Sequence, residues 1–209
     1  MSFVTGTVAE LIWANTTSGT TLSSFMTEAS MATGIVNLGT TAGAIQAGLP
    51  QGFFSLRPGG GVGAVVRCQL EGVFSDTSSA PTYTFGLRWT SATGVLLATT
   101  TAITPAVSLT NTMWWAVVDI ILTAAGPSTT ATARSNGQWQ CENSAVATGT
   151  TITTPFCTGS SFGTPTPASL TTLGFDSTVA LPIVPTVACG TSNASNAVTL
   201  TDFKIFGLN

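Results

Sequence analysis

The sequence predicts an all-β protein: an antiparallel two-sheet β-sandwich of jelly-roll type with an irregular N-terminal arm and long loops. No window of a dozen residues has the apolar spacing of an amphipathic helix. Short runs of β-branched and aromatic residues recur instead, bounded by clusters of Gly, Pro, Asn and Ser. About eight such runs, joined by long connections, fit a two-sheet jelly roll.

The N-terminal part contains a predicted strand over 8–14 and a second one through 22–26. Residues 34–63 are rich in glycine, and the GGG at 59–61 is incompatible with regular structure, so we expect an arm or loop there. The predicted organisation is therefore an N-terminal region, 1–63, packed on a β-sandwich, 64–209, the two forming one domain.

Two alternating runs follow, VVRCQLEGVF at 65–74 and TYTFGLRWT at 82–90. In the second, Tyr83, Phe85, Leu87 and Trp89 share one face. The linker SDTSSAP is a turn by composition, so the two runs are expected to form an antiparallel hairpin with one face in water. Arg88 would then lie near Glu71. A third strand is predicted at 94–101.

The run TMWWAVVDIILT at 112–123 is apolar on both alternating faces. A buried helix competes with a strand here, but the β-branched residues and the Thr, Pro and Gly flanks favour a strand. A strand that is apolar on both faces is covered on both, so we expect a loop or a neighbouring subunit over its outer side. Asp119, its only charge, is expected to pair with an arginine across a sheet or subunit boundary.

The C-terminal part begins with a predicted strand over 131–141, bent at SNG, 135–137. Residues 143–180 contain Pro155, Pro165 and Pro167 among many Thr and Ser, which predicts a long loop. Two strands, 182–190 and 197–206, then form a hairpin across TSNASN.

The composition is poor in ions: 6% of the residues are charged, against about 25% in ordinary soluble domains. Thr and Ser fill the solvent-facing positions instead, with 40 and 20 residues. Such a surface loses little when it is desolvated against another copy, because few charges must be stripped of water. We therefore expect a protein that packs against neighbours, the alternative being a heavily hydroxylated extracellular domain.

The charge balance excludes some partners. Net charge −3, with one lysine and four scattered arginines, provides no basic footprint for nucleic acid and none for an anionic membrane. The longest apolar run is shorter than the ~20 residues of a spanning helix. The N-terminus has no secretory pattern, so we expect synthesis in a cytoplasm.

Catalytic, cofactor and metal residues are not expected. The chain has no histidine, which excludes Ser–His–Asp and Cys–His constellations and weakens any zinc site. The glycine-rich RPGGGVG at 57–63 lacks the lysine of a phosphate loop. The acids are isolated in sequence, and Asp76 is expected to cap backbone amides in a turn.

Four cysteines, Cys68, Cys141, Cys157 and Cys189, leave two alternatives. They are buried free thiols, or Cys141 and Cys157 form a disulfide if the protein reaches an oxidising environment.

A resemblance covers most of the chain. It rests on IWANTTSGTTLSSFMTEA (12–29), GFFSLRPGGG, VRCQLEGVFSDTSSAPTYTFGLRWTSATG (66–94), LTNTMWWAVVDIILTAAGPSTTATARSNGQ (109–138) and VACGTSNASNAVTLTDFKIFGLN (187–209). In this order the segments resemble a group of tailed-bacteriophage virion proteins with a jelly-roll-like β-sandwich. The resemblance implies a structural role on the particle and brings no catalytic residues with it.

Together these observations predict a non-enzymatic virion protein, made in the host cytoplasm. The leading hypothesis is a capsid decoration (cement) protein that binds the outside of the head as a symmetric oligomer, with a trimer favoured, and contacts the major capsid protein or other virion proteins. The interface candidates are Trp114, Trp115, Met113, Asp119, Phe53 and Phe54.

Three alternatives remain. A tail fibre, collar or receptor-binding module would bind host glycans through 143–180, with Trp139 or Trp115 stacking the sugar. A major capsid subunit is disfavoured because the chain has no basic arm for a genome. A carbohydrate-active enzyme would need two carboxylates about 5–9.5 Å apart.

Overall fold

The structure is a computed structural model, which describes residues 9–33, 48–55, 61–79, 81–143, 150–158 and 174–208. These residues form an antiparallel all-β sandwich of two layers, as the sequence predicts. The strands are β1 Ala9–Ala14, β2 Leu22–Ser23, β3 Ala29–Ser30, β4 Gly48–Leu49, β5 Val65–Ser75, β6 Tyr83–Trp89, β7 Leu96–Thr100, β8 Thr112–Ala124, β9 Thr132–Asn143, β10 Thr150–Thr158, β11 Leu181–Cys189 and β12 Ala197–Leu208. In the described part of the chain there is no helix long and apolar enough to span a membrane.

The two layers belong to one continuous sheet. Layer A has the order β1-β12-β5-β8-β9, and layer B has the order β10-β7-β6-β11-β3. The β9–β10 ladder, which runs from Asn143 opposite Thr150 to Ser135 opposite Thr158, joins them. Two short strands lie off this path, with β2 on β12 and β4 on β11.

The eight long strands pair in a nested way. The first of them, β5, pairs with the last, β12, and β6 pairs with β11. Inside these, β7 pairs with β10 and β8 with β9. This nesting is how a long antiparallel chain folds over on itself to make a jelly roll. Its consequence is that some strands adjacent in sequence, such as β5 and β6 or β11 and β12, lie in opposite layers.

The predicted β5–β6 hairpin is wrong for this reason. β5 lies in layer A between β12 and β8, whereas β6 lies in layer B between β7 and β11. Arg88 therefore does not approach Glu71, and it pairs with Glu28 instead. The linker behaves as a crossover between layers, which composition alone does not distinguish from a hairpin turn.

An aromatic cluster fills the space between the layers. The predicted inner face of β6 is confirmed, because Tyr83, Phe85, Leu87 and Trp89 are all buried. Phe85 lies 4.9 Å from the ring of Trp114 and 5.1 Å from that of Trp139, both in layer A. Cross-layer ring contacts of this kind hold the two halves of the sheet face to face.

The prediction that β8 is covered on both faces is only half right. Its inner side chains are buried, but Met113 and Trp115 on the outer side are 58% and 41% exposed. The strand that is buried on both faces is β11, where the outward-facing Val184 and Thr186 are fully buried. On that side the Thr186 hydroxyl donates to the carboxylate of Glu28, and β3 pairs with β11 along its edge.

Three C-terminal expectations are corrected. The predicted hairpin across TSNASN is wrong, because β11 pairs with β6 in layer B and β12 pairs with β5 in layer A. The SNG sequence is not a bend, because β9 runs through it without a break. Gly137 sits there because a Cβ would come within 2.7 Å of the Cα of Val118 on β8. Within the predicted loop, residues 150–158 form β10, with Pro155 opposite Gln138. Pro165 and Pro167 lie outside the described residues.

The N-terminal segment, residues 9–33, crosses from one layer to the other. The side chain of Asn15 accepts a hydrogen bond from the Phe203 amide at 2.6 Å and donates one to the carbonyl of Thr201 at 3.0 Å, both on β12. At its other end the Met31 amide donates to the carbonyl of Pro185 on β11 at 2.9 Å. The predicted second strand is shorter than expected and covers only β2. This segment closes the sandwich on the side opposite to the β9–β10 ladder.

Candidate functional site

The outer face of layer A is the candidate site. On β12, β5, β8 and β9 every second side chain points outward, and the strand registers align these side chains in rows across the sheet. Glu142 comes directly after Cys141, which is opposite Trp114, and so lies beside Met113 in the fifth row. The rows are, first, Leu208, Val65, Ile121 and Arg134; second, Phe206, Arg67, Asp119 and Asn136; third, Lys204, Gln69, Val117 and Gln138; fourth, Asp202, Glu71, Trp115 and Gln140; fifth, Thr199, Val73, Met113 and Glu142.

The second row contains a bidentate ion pair. Arg67 Nε donates to Asp119 Oδ1 and Arg67 Nη2 donates to Asp119 Oδ2, each at 2.7 Å. Hydrogen bonding to Asp119 outweighs desolvation and raises the pKa of Arg67. The prediction that Asp119 pairs with an arginine is confirmed, and the partner lies on the neighbouring strand of the same sheet. Inside the sheet, burial followed by the charge of Asp119 raises the pKa of the Cys68 thiol.

The fourth row places an aromatic ring among polar groups. Trp115 has Glu71 directly opposite on β5 and Gln140 directly opposite on β9. Asp202 on β12 is opposite Glu71 and pairs with Lys204. Directly opposite residues of an antiparallel pair have Cβ atoms about 4.5–5.5 Å apart. This row therefore offers a flat, partly exposed indole flanked by a carboxylate and an amide.

The ion pairs leave little free charge on the described surface. Arg67 with Asp119, Arg88 with Glu28 and Lys204 with Asp202 neutralise one another. Of the cations in the described ranges, Arg134 is the one outside these pairs. The rest of the outer face of layer A consists of apolar, amide and hydroxyl side chains and two exposed acids.

Several interface candidates are not available for an interface. Trp114 is 1% exposed and lies in the aromatic core. Phe53 and Phe54 are 8% and 2% exposed and pack edge to face on each other at 5.1 Å. Alternation along β8 puts Trp114 on the inner face and Trp115 on the outer one, which is why adjacent tryptophans have opposite environments.

Trp139, proposed as a sugar-stacking residue, is also in the core. It is buried and lies 6.4 Å from the ring of Trp114, nearly parallel to it. A ring so enclosed has no face to offer a ligand. Trp115 is therefore the only one of the two proposed sugar-stacking tryptophans whose ring reaches the surface.

The cysteines do not fit the proposed bridge. On the β9–β10 ladder Cys141 is opposite Ile152, whereas Cys157 is opposite Asn136. This offset of five residues along the ladder separates the two cysteines by about 16 Å, far beyond the 4.4–6.8 Å between the Cα atoms of a disulfide. The described thiols, those of Cys68, Cys141 and Cys189, are all buried.

Asp76 and Asp176, which lie outside this face, accept hydrogen bonds from backbone amides. Asp76 Oδ1 accepts from the Leu109 amide at 2.7 Å, which confirms its capping role, and burial raises the pKa of its carboxyl despite this bond. Asp176 accepts from the Ser128 and Thr178 amides, and the Thr178 and Ser128 hydrogen bonds lower its pKa. Among the described residues, no three His, Cys, Asp or Glu side chains come together as a metal site would require.

Sequence reasoning missed the amides of β9 and the acid pair of Glu71 and Asp202. Glu71 and Asp202 are 131 residues apart in the chain and become neighbours only in the fold, because long crossovers bring β5 and β12 side by side. The alternation along β5 predicted an outward-facing polar side, but the sequence did not specify which strands would extend it.

No family model and no curated protein matches the chain. Two solved structures overlap with it. The CBM2 module of the evolved Dit protein of Lactobacillus casei BL23 phage J-1 aligns over 78% of this chain and 67% of its own, with a TM-score of 0.29 and 12% identity. A protein of unknown function from Shewanella oneidensis MR-1 aligns over 100% of this chain and 83% of its own, with a TM-score of 0.34 and 14% identity. At TM-scores below 0.5 these overlaps assign neither a fold family nor a function.

Proposed function

We propose that this chain is a non-enzymatic structural protein of a tailed-bacteriophage particle. The observation that carries the proposal is the outer face of layer A, where Met113 and Trp115 are exposed and two ion pairs, Arg67–Asp119 and Lys204–Asp202, neutralise four of the seven charges in the five rows. Covering such a face costs little desolvation of ions, and its large apolar side chains gain from leaving water. The sequence resemblance to virion proteins supports the same role.

Within the particle, the finer proposal is a capsid decoration protein present in many symmetric copies. The test is the composition of purified particles, measured by quantitative mass spectrometry with the major capsid protein as the internal standard. A large fixed ratio to the capsid protein is expected. Recovery of only a few copies per particle would contradict decoration while leaving a tail position, and absence from particles would contradict the virion role itself.

A glycan-binding tail module is the second candidate function, and the fourth row favours it. A sugar ring has an apolar face that stacks on an indole and a rim of hydroxyls that bond to carboxylates and amides. Trp115, Glu71 and Gln140 provide these groups side by side. On a glycan array, Trp115→Ala should abolish binding that the native chain shows, whereas Met113→Ala should retain it. No binding by the native chain would exclude this candidate.

The opposed Glu71 and Asp202 also bear on the non-enzymatic part of the proposal. Because the two residues pair across β12 and β5, their carboxyl groups can approach within the ~5–9.5 Å that glycosidases use. Asp202 is engaged by Lys204, and the two acids lie on a sheet face. We expect the native chain to release no reducing ends from glycans that it binds. Release that disappears in both Glu71→Gln and Asp202→Asn would overturn the proposal.

A further inference from the structure

The outer face of layer A has a pattern that is complementary to itself. The third row, which contains Val117 and Gln138, lies in the middle, with two rows on either side. Arg134, the described cation outside the ion pairs, is in the first row on β9, and Glu142 is in the fifth row on the same strand. Arg67 in the second row has Glu71 at the same strand in the fourth. On β9 and β5 a charge on one side of the middle row is thus matched by the opposite charge on the other side, whereas Asp119 on β8 is matched by Trp115 and Asp202 on β12 by Phe206.

We propose that this face binds the same face of a second copy of the chain, in an isologous contact whose two-fold axis runs along the third row. Such an axis lies in the plane between the copies and keeps each strand above its own counterpart with the direction reversed. It exchanges the first row with the fifth and the second with the fourth. Face-to-face packing of sheets with nearly aligned strands is a standard arrangement.

The exchange brings opposite charges together at the β9 side of the face. Arg134 of one copy lies over Glu142 of the other, and the symmetry repeats the contact, so each dimer contains it twice. Both side chains are exposed in the single chain. On β5, Arg67 of one copy lies over Glu71 of the other. The guanidinium, which already binds Asp119 of its own chain, thereby gains a second carboxylate.

Apolar side chains meet in the same operation. Ile121 lies over Met113 on β8, and Val65 lies over Val73 on β5. In the middle row Val117 meets its own copy. This matching covers Met113, which is 58% exposed in the single chain. It also places the hydrophobic contacts on the two central strands, where shielding from water is most complete.

Polar groups also find partners. The indole N–H of Trp115 comes over Asp119, whose carboxylate can accept it. On β9 the amides of Asn136 and Gln140 face each other. The two copies of Lys204 approach along the axis at the β12 edge, but each is neutralised by its own Asp202. The face therefore leaves few groups unpaired when it closes.

The area is sufficient for a specific contact. Four strands about 4.8 Å apart, over the positions from Met113 to Ile121, make a face of roughly 600 Å² per copy, or about 1,200 Å² in total. This lies at the lower end of stable protein interfaces, where association is concentration-dependent. A second copy of the chain explains why both the charged and the apolar side chains match across the third row. An unrelated partner would not require the face to be symmetric about that row.

The test is the dissociation constant of the purified full-length chain, measured by sedimentation equilibrium over a wide concentration range. We expect a dimer for the native chain. Arg134→Glu and Glu142→Arg should each raise the dissociation constant about tenfold or more, because each places like charges together twice in the dimer. The double variant, which restores opposite charges, should return it to within about threefold of the native value.

The two single variants change the net charge in opposite directions, so a weakening shared by both is not an effect of net charge. Ser78→Glu, at an exposed position in the β5–β6 linker, is the control and should dimerise normally. Far-UV circular dichroism establishes that each variant is folded. A monomeric native chain, a trimer insensitive to both reversals, or a double variant as weak as the single ones would each overturn the inference. None of these results alters the copy number in particles, which tests the proposed function separately.

Discussion

Glu28 and Arg88, 60 residues apart in the chain, form a bidentate ion pair that attaches the N-terminal segment to layer B. Glu28 Oε1 accepts from Arg88 Nε at 2.7 Å and Oε2 accepts from Nη2 at 2.6 Å. The Thr186 hydroxyl donates to the same carboxylate at 2.5 Å. Gly86 leaves room for this contact, since a Cβ there would lie 3.2 Å from Glu28 Oε1. The carboxylate thus joins β3, β6 and β11 over a strand whose outer face is fully buried.

We predict that Glu28→Gln lowers the free energy of unfolding at neutral pH by about 2 kcal/mol, because charge-assisted hydrogen bonds to a partly buried group are lost. Chemical denaturation measures this. Glu10→Gln, at an exposed strand position outside the ion pairs, is the control and should change stability by less than about 0.5 kcal/mol. Equal effects of the two substitutions would contradict the role assigned to Glu28.

The same pair predicts a pH dependence. Burial raises the pKa of Glu28, but the hydrogen bonds from Arg88 and Thr186 and the charge of Arg88 together bring it below the ordinary 4.5. A carboxyl whose pKa is lower in the folded state stabilises it above the unfolded pKa, and this stabilisation is lost as the pH falls. The stability difference between the native chain and Glu28→Gln should therefore be constant near neutrality and shrink as the pH falls below 4.5. A difference that grows on acidification would show that the sign is wrong.

Arg67 and Asp119 have the same bidentate geometry, but their side chains are 38% and 28% exposed. Solvent screens such a pair, so Arg67→Met should cost less than about 1 kcal/mol in the monomer. Added salt should reduce this difference further. Denaturation at two salt concentrations measures both effects. A cost as large as that of Glu28→Gln would mean that exposure does not determine the strength of these pairs.

The adjacent tryptophans give a matched comparison. Trp114→Ala should lower the free energy of unfolding by about 3–5 kcal/mol, because it leaves a cavity beside Phe85. Trp115→Ala, one position away on the outer face, should change the stability of the monomer by less than about 1 kcal/mol. Trp115→Ala should instead weaken self-association or glycan binding. Denaturation at low protein concentration separates these effects, and similar losses for the two variants would contradict the assigned faces.

Gly72 permits the close approach of the Trp114 ring to β5. A Cβ at this position would lie 2.7 Å from two ring carbons, and the carbonyl of Thr199 blocks the other side. We expect Gly72→Ala to destabilise the fold by about 1–3 kcal/mol or more, through displacement of Trp114. The tryptophan emission spectrum of the native state should shift as well. An unchanged spectrum together with unchanged stability would rule out this tight packing.

The sequence predicted particular elements because their causes are local. The alternation of Tyr83, Phe85, Leu87 and Trp89 can be assigned to one buried face from spacing alone, since successive side chains of a strand point in opposite directions. The capping role of Asp76 was predicted from its place in a turn, but the amide that it caps is that of Leu109, 33 residues away, which only the fold brings near. The prediction that Asp119 pairs with an arginine was correct, but it did not say which of the four arginines. The strand register selects Arg67.

The errors have a common origin in pairing across long distances. The hairpin between β5 and β6 was wrong because the two strands belong to different layers, and the bend at 135–137 was wrong because Gly137 serves close packing against β8. Phe53 and Phe54 look like surface anchors in a glycine-rich stretch, yet they are buried. Composition describes what a residue can do, whereas burial depends on which distant strands arrive above it.

The sequence by itself determined that this chain is all-β, which face of β6 points inward, and that its surface carries few ions. Each of these follows from side-chain chemistry and a period of two residues. The tertiary structure decided which strands lie side by side, and so which groups share the outer face of layer A with Trp115. Strands become neighbours only when the whole sheet folds, and paired strands such as β1 and β12 come from opposite ends of the chain. No local sequence pattern encodes such a pairing.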